Sequence, residues 1–124
     1  MRVPILQIGR TLIATVQSSP TDLEFSQLRD ELVRRAGEVR ALGVVVDVTA
    51  LDLVDSYAVR TLVALAHMVK LRGADTVIVG IQPDVAFTMV QLGLGLNGVA
   101  TALDLEGGIE ILNGRPAGGS SRVR

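Results

Sequence analysis

The chain has 124 residues, a formal net charge of −1 at pH 7, no cysteine and a single histidine, His67. This composition excludes disulfides, thiolate chemistry and metal sites that need cysteine or several histidines, and the near-neutral charge gives no reason to expect nucleic acid or a membrane surface as a partner. With 48% hydrophobic but only 2% aromatic residues, a chain of this length is expected to form one domain around an aliphatic core.

A β-hairpin and a long helix are predicted at the start of the chain. Alternating apolar residues over 3–8 and a second apolar run over 11–16, separated by a glycine and an arginine, indicate two paired strands. Thr21 and Glu24 then form a capping box. The helix that they start is predicted to run to about Leu42, where the following glycine ends it.

Six further elements are predicted to follow in alternation. They are a strand over 44–48, a helix from Asp55 or Ser56 to about 71, a strand over 76–81, a helix over 85–92, a short strand over 100–103 and a short helix over 108–112. The order predicts an α/β fold, with a mixed, mostly parallel sheet of about five strands covered by about four helices. Residues 114–124 are rich in glycine, serine and arginine and are predicted to be a disordered tail, so that the domain covers residues 1–113.

The segment from Gly93 to Gly98 has the spacing of a glycine-rich dinucleotide-binding string. That fingerprint requires a strand before the glycines and a helix after them, whereas here a predicted helix precedes them and a predicted strand follows. We therefore interpret these glycines as a turn. They also interrupt the uncharged stretch over 85–103, which is nearly long enough to span a bilayer, so no membrane segment is predicted.

A serine at the start of the second helix is the strongest candidate for a functional residue. The N-terminus of a helix presents outward-pointing N–H groups and the positive end of the helix dipole, which suits a phosphate. Ser56 is therefore predicted to be phosphorylated by another protein. A plain N-cap at Asp55 explains the same sequence, and it is compatible with modification because it leaves the Ser56 hydroxyl open. Arg60, one turn later, faces the same side. It is a candidate to bind a phosphate or an acidic side chain of a partner.

Three aspartates around this loop, Asp47, Asp52 and Asp55, allow a different interpretation. Carboxylates that follow a buried strand can bind Mg²⁺ or accept a phosphoryl group, as in response-regulator receivers. No acidic pair follows the earlier strands, however, so solvated loop acids and helix caps are the simpler explanation. A small phosphotransfer or nucleotide-binding protein stays open as an alternative.

Four segments in this order resemble the STAS domain of anti-sigma factor antagonists. They are an Asp-x-Thr at the end of a strand, Val54-Asp55-Ser56-Tyr57 at the start of a helix, Gly80-Ile81-Gln82-Pro83 after the next strand, and Thr101-Ala102-Leu103-Asp104-Leu105. The resemblance covers residues 1–113 and is strongest to the RsbS-type scaffold proteins of stressosomes.

The resemblance implies a non-enzymatic cytoplasmic regulator of a stress response, without cofactor or metal. In its unphosphorylated form it would hold a serine/threonine switch kinase of the GHKL type, and phosphorylation of Ser56 would release that kinase. It would form homo- and hetero-oligomers with co-antagonists that carry sensory N-terminal domains, and a phosphatase would reset Ser56. Five residues would form the kinase-binding switch surface: Asp52, Asp55, Ser56, Tyr57 and Arg60.

Two departures from the family pattern guide the choice within it. The simplest antagonists have a small residue after the serine, where this chain has Tyr57. The scaffold type is therefore favoured over a direct anti-sigma factor antagonist, which stays the alternative. The co-antagonists carry threonine where Ser56 stands and an extra domain in front, whereas we expect this chain to begin at its first strand.

Overall fold

The computed structural model describes residues 3–114, which form a five-stranded sheet and four helices. In chain order the elements are β1 (Ile5–Ile8), β2 (Thr11–Thr15), α1 (Asp22–Glu38), β3 (Gly43–Asp47), α2 (Ser56–Lys70), β4 (Asp75–Val79), α3 (Pro83–Gln91), β5 (Ala100–Ala102) and α4 (Leu105–Gly114). The strands lie side by side in their chain order; β1 is antiparallel to β2, and all other neighbours are parallel. The predicted α/β fold and its mixed, mostly parallel sheet are confirmed.

The central strands are buried on both faces, which explains why β3 shows no alternation of apolar and polar residues. Helices α1, α2 and α3 cover one face, where the strand residues include Leu12, Ala14, Val44, Val46 and Ile78. Helix α4 covers the other face, where the core contains Ile13, Val45, Val77 and Val79. The chain therefore builds two aliphatic layers on one sheet.

The start of α1 is the predicted capping box. The Thr21 hydroxyl accepts a hydrogen bond from the Glu24 N–H at 3.1 Å, and the Glu24 carboxylate accepts one from the Thr21 N–H at 2.8 Å. The hydrogen bond from the Thr21 backbone lowers the pKa of the Glu24 carboxyl. The box therefore contributes stability at neutral pH, and this contribution is lost as the pH falls through the lowered pKa.

The predicted end of α1 was wrong, because the helix stops at Glu38 and not near Leu42. Arg40 adopts a φ of 52°, in the left-handed region, and the Ala41 N–H then bonds to the Ala36 carbonyl at 3.0 Å. An arginine therefore takes the position that a glycine usually holds at a helix end. Gly43, the predicted stop, is instead the first residue of β3.

Two later helices begin earlier than predicted. Helix α3 starts at Pro83, since proline is favoured in the first turn of a helix. Helix α4 starts at Leu105, because the Asp104 carboxylate accepts a hydrogen bond from the Gly107 N–H at 2.8 Å. Gly114, the first residue of the predicted tail, is the last residue of α4, and residues 115–124 lie outside the described residues. Within residues 3–114, no helix is long and apolar enough to cross a bilayer.

Candidate functional site

The loop between β3 and α2 begins with a tight turn around Asp47. The carboxylate of Asp47 accepts hydrogen bonds from the Thr49 backbone N–H at 2.9 Å and from the Thr49 hydroxyl at 2.6 Å. This carboxylate thus shapes the loop, as short polar side chains do in turns. Among residues 3–114, no group of three or more histidines, cysteines or acids could hold a metal ion, so the three loop aspartates do not form such a group.

Thr49 also ties this loop to the segment that follows β4. The Gln82 side-chain amide donates a hydrogen bond to the Thr49 carbonyl at 2.6 Å. Gly80 has a φ of 82°, and a Cβ added there would lie 1.9 Å from the Thr49 hydroxyl oxygen. The Gly80 N–H bonds to the Ala102 carbonyl at 3.1 Å, which extends the connection to β5. The loops after three parallel strands therefore form one connected edge.

Asp55 and Ser56 occupy the two positions that the sequence predicted for the start of α2. Asp55 is the N-cap, and its carboxylate accepts a hydrogen bond from the Ala58 N–H at 2.8 Å. Ser56 is the first helical residue and is exposed. Within the described part of the chain its hydroxyl makes no hydrogen bond, and it lies at the positive end of a 15-residue helix. A phosphate is well accommodated at such a helix N-terminus.

The other predicted residues of the switch surface differ in exposure. Asp52 and Arg60 are exposed, and Arg60 follows Ser56 by one helical turn, which places the two side chains as neighbours on one face. Tyr57 is half-buried, and its hydroxyl shares a hydrogen bond with Ser26 of α1. Tyr57 thus joins the first turn of α2 to α1, whereas Asp52, Ser56 and Arg60 face solvent.

The remaining candidates lie apart from this edge. His67 is exposed near the C-terminal end of α2. The glycines at 93 and 98 have positive φ in the turn between α3 and β5, so a helix precedes them and a strand follows. A cleft of about 600 Å³ lies between β1 and α1 and is lined by none of the residues of the β3–α2 loop.

The N-cap makes a testable contribution to stability. Asp55→Ala is expected to lower the free energy of unfolding by about 1 kcal/mol, because it removes the acceptor of the Ala58 N–H. Asp52→Ala is the matched control: it removes the same charge three residues earlier and is expected to change the value by less than about 0.5 kcal/mol. Urea denaturation of both variants measures the difference, and equal losses would contradict the assignment of Asp55 as the cap.

Comparisons with known proteins agree with this fold. The sequence profile of the STAS domain family matches residues 2–104. The solved structure of RsbS from Moorella thermoacetica, in a form with a serine-to-glutamate substitution, is 33% identical and has a TM-score of 0.80, over 94% of this chain and 99% of that chain. A chain in a solved structure that describes the molecular architecture of the stressosome, a signal integration and transduction hub, is also 33% identical. Its TM-score is 0.72, over 90% of this chain and 96% of that chain.

A curated relative extends well beyond the matched region. The RsbT co-antagonist protein RsbRA of Bacillus subtilis strain 168 is 28% identical over 99 residues, which are 80% of this chain and 35% of RsbRA. This chain therefore spans about a third of the length of that relative.

Proposed function

Since the chain belongs to the STAS domain family, we propose that it is a non-enzymatic, cytoplasmic regulatory scaffold of a stressosome-type signalling complex. In this proposal the unphosphorylated protein holds a serine/threonine switch kinase, and phosphorylation of Ser56 releases it. The observation that carries the proposal is the exposed Ser56 hydroxyl, which lies at the N-terminus of α2 directly after the Asp55 cap. The likeness to RsbS and to a chain of the stressosome supports it.

The position of Ser56 lets a phosphate act without a change of fold. A phosphoserine carries about −1.5 to −2 charge at pH 7. Within the protein this charge is stabilised by the helix dipole and by Arg60 on the next turn. On the surface it adds to the exposed carboxylate of Asp52. A bound kinase then contacts a bulky dianion in place of a hydroxyl. Local repulsion and steric bulk are together enough to release the kinase.

Three partners complete the proposed circuit. The kinase is of the GHKL type, a co-antagonist with a sensory N-terminal domain builds the assembly, and a phosphatase removes the phosphate from Ser56. The likeness to a chain of the stressosome and the similarity to RsbRA, whose name describes an RsbT co-antagonist, support assembly with a co-antagonist. Tyr57 stands after Ser56 where the simplest antagonists have a small residue, and this difference favours the scaffold type; its hydroxyl bonds to Ser26 of α1.

Size analysis of a reconstituted mixture tests the scaffold role. The full chain mixed with a co-antagonist is expected to form a very large particle, observed by light scattering after gel filtration. Ser56→Ala is expected to assemble equally well, because it adds no charge to the surface. Two separate small species in the mixture would contradict the scaffold role and would favour a direct anti-sigma factor antagonist.

A further inference from the structure

Three arginines lie together at the end of the domain opposite Ser56. Arg10, Arg40 and Arg72 stand in the turns that precede β2, β3 and β4. Because these strands are parallel, the three turns lie at one edge of the sheet, and the loop that carries Ser56 lies at the other. We call these three residues the arginine end.

The backbone and side chains hold the arginine end together. The Arg10 guanidinium donates a hydrogen bond to the Arg40 carbonyl at 2.9 Å, and the Arg10 carbonyl accepts one from the Leu42 N–H at 2.8 Å. The guanidinium of Arg72 lies across α1 at Gly37, where an added Cβ would be 2.2 Å from an Arg72 nitrogen. Arg40 has a φ of 52°, so its exposed side chain extends from a left-handed backbone.

The charge of the arginine end is not neutralised within residues 3–114. None of its three guanidinium groups has a carboxylate within ion-pair distance in that part of the chain. The carboxylates closest in sequence already have cationic partners, since Glu38 bonds to Arg34 at 2.7 Å and Asp75 bonds to Lys70 at 2.6 Å. All three arginines are exposed. This end therefore presents positive charge in a chain whose formal net charge is −1.

The opposite end carries the complementary charge. No lysine or arginine occurs over 41–59 or over 73–114, the segments that supply the loops after β3, β4 and β5. These loops and the helix starts after them contain the exposed carboxylates of Asp52, Asp55, Asp84, Asp104 and Glu106. Within residues 3–114, none of these carboxylates forms an ion pair. We call these five residues the acidic end.

We propose that the arginine end of one copy of this chain binds the acidic end of a second copy, head to tail. The charge complementarity of the two ends carries the inference, because both ends are exposed and, within residues 3–114, neither forms an ion pair; Arg60 is also exposed one helical turn after Ser56, but it is outnumbered by the five carboxylates. Such a contact joins different surfaces of two identical chains, so each added copy offers a new end for the next. The contact is electrostatic and weakens with added salt, whose screening length is about 10 Å at 0.1 M.

The contact has a consequence for the switch, which rests on the proposed function. A phosphate on Ser56 adds negative charge to the acidic end, so the phosphorylated copy binds the arginine end of its neighbour more tightly. The neighbour's arginines then compete with the kinase for the same surface. The association itself needs neither kinase nor phosphate, so its test is independent of the role of Ser56.

Two charge-reversed variants test the contact. One carries Arg40→Glu with Arg72→Glu, and the other carries Asp52→Arg with Asp84→Arg; no N-cap hydrogen bond is removed in either. Sedimentation velocity of the full wild-type chain at low salt is expected to show association that grows with concentration and weakens with salt. Each variant alone is expected to associate at least about tenfold more weakly, because like charges then face each other. An equimolar mixture of the two is expected to associate again, since each reversed end meets an opposite charge.

Two controls keep the outcome decisive. Glu110→Arg changes the net charge as Asp52→Arg does, but at an exposed site within α4, and it is expected to leave association unchanged. Arg40→Gln with Arg72→Gln removes the charge without reversing it and is expected to weaken association in a protein whose circular dichroism matches wild type. A wild-type chain that stays monomeric at low salt, or a mixture of the reversed variants that does not associate, would overturn the proposal.

Discussion

Gly80→Ala is expected to lower the free energy of unfolding by about 3 kcal/mol, through two costs at one position. The backbone of Gly80 has a φ of 82°, where a side chain adds strain of about 1–2 kcal/mol. The new Cβ would also lie 1.9 Å from the Thr49 hydroxyl oxygen and 3.1 Å from the Thr49 backbone nitrogen. Thr49 cannot move aside without breaking its hydrogen bonds to Asp47 and Gln82.

Gly98→Ala is the matched control, because it shares the backbone strain without the contact. Gly98 has a φ of 77°, and a Cβ there meets nothing within 4 Å. The free energy of unfolding of this variant is expected to fall by only about 1–2 kcal/mol. Urea denaturation measures both glycine variants. Gly80→Ala should also speed hydrogen exchange over residues 49–55, since the loop loses its anchor. Equal losses in the two variants would show that Thr49 does not constrain this glycine.

The second large effect is expected for binding of the switch kinase. Ser56→Glu places a carboxylate where the phosphate would stand, so its affinity for the kinase is expected to fall at least about tenfold relative to wild type. Ser56→Ala removes the hydroxyl without adding charge and is expected to bind the kinase as tightly as wild type. Isothermal titration calorimetry with the purified kinase, without ATP, measures both variants.

A second acidic variant separates a local effect from a change of net charge. Gln91→Glu adds the same charge at the exposed last residue of α3, at the end of the domain away from Ser56. Its affinity for the kinase is expected to match wild type. If Ser56→Glu bound the kinase as tightly as wild type, the electrostatic part of the switch would be wrong, even if Ser56 were phosphorylated.

Local patterns were sufficient to predict the elements and their order. The Thr21–Glu24 capping box and the apolar run of β3 both follow from neighbours in the chain, and both are confirmed. The predicted end of α1 was wrong because the sequence signal for a helix end is weak there. Arg40 adopts the left-handed conformation that a glycine usually takes at such a position. The start of α4 was missed because a single aspartate cap outweighs two glycines in the first turn.

The site shows the same division between local and long-range signals. Asp55 and Ser56 were placed correctly because a cap is a local feature of sequence. The hydrogen bond between Gln82 and Thr49 joins residues 33 positions apart, so no local pattern predicts it. The Asp-x-Thr and Gly-Ile-Gln-Pro segments signalled these residues through the family resemblance alone. Arg10 and Arg40 likewise meet only because β2 and β3 are adjacent parallel strands.

Mapping the phosphate by mass spectrometry tests the central claim most directly. The full chain is incubated with the switch kinase and Mg-ATP, and Ser56→Ala is treated in the same way. We predict one phosphate on Ser56 in wild type and none in the variant. Thr49 should stay unmodified, because its hydroxyl donates to Asp47 at 2.6 Å. No phosphate on the wild-type chain, or a phosphate on another residue, would contradict the account of Ser56 as the switch.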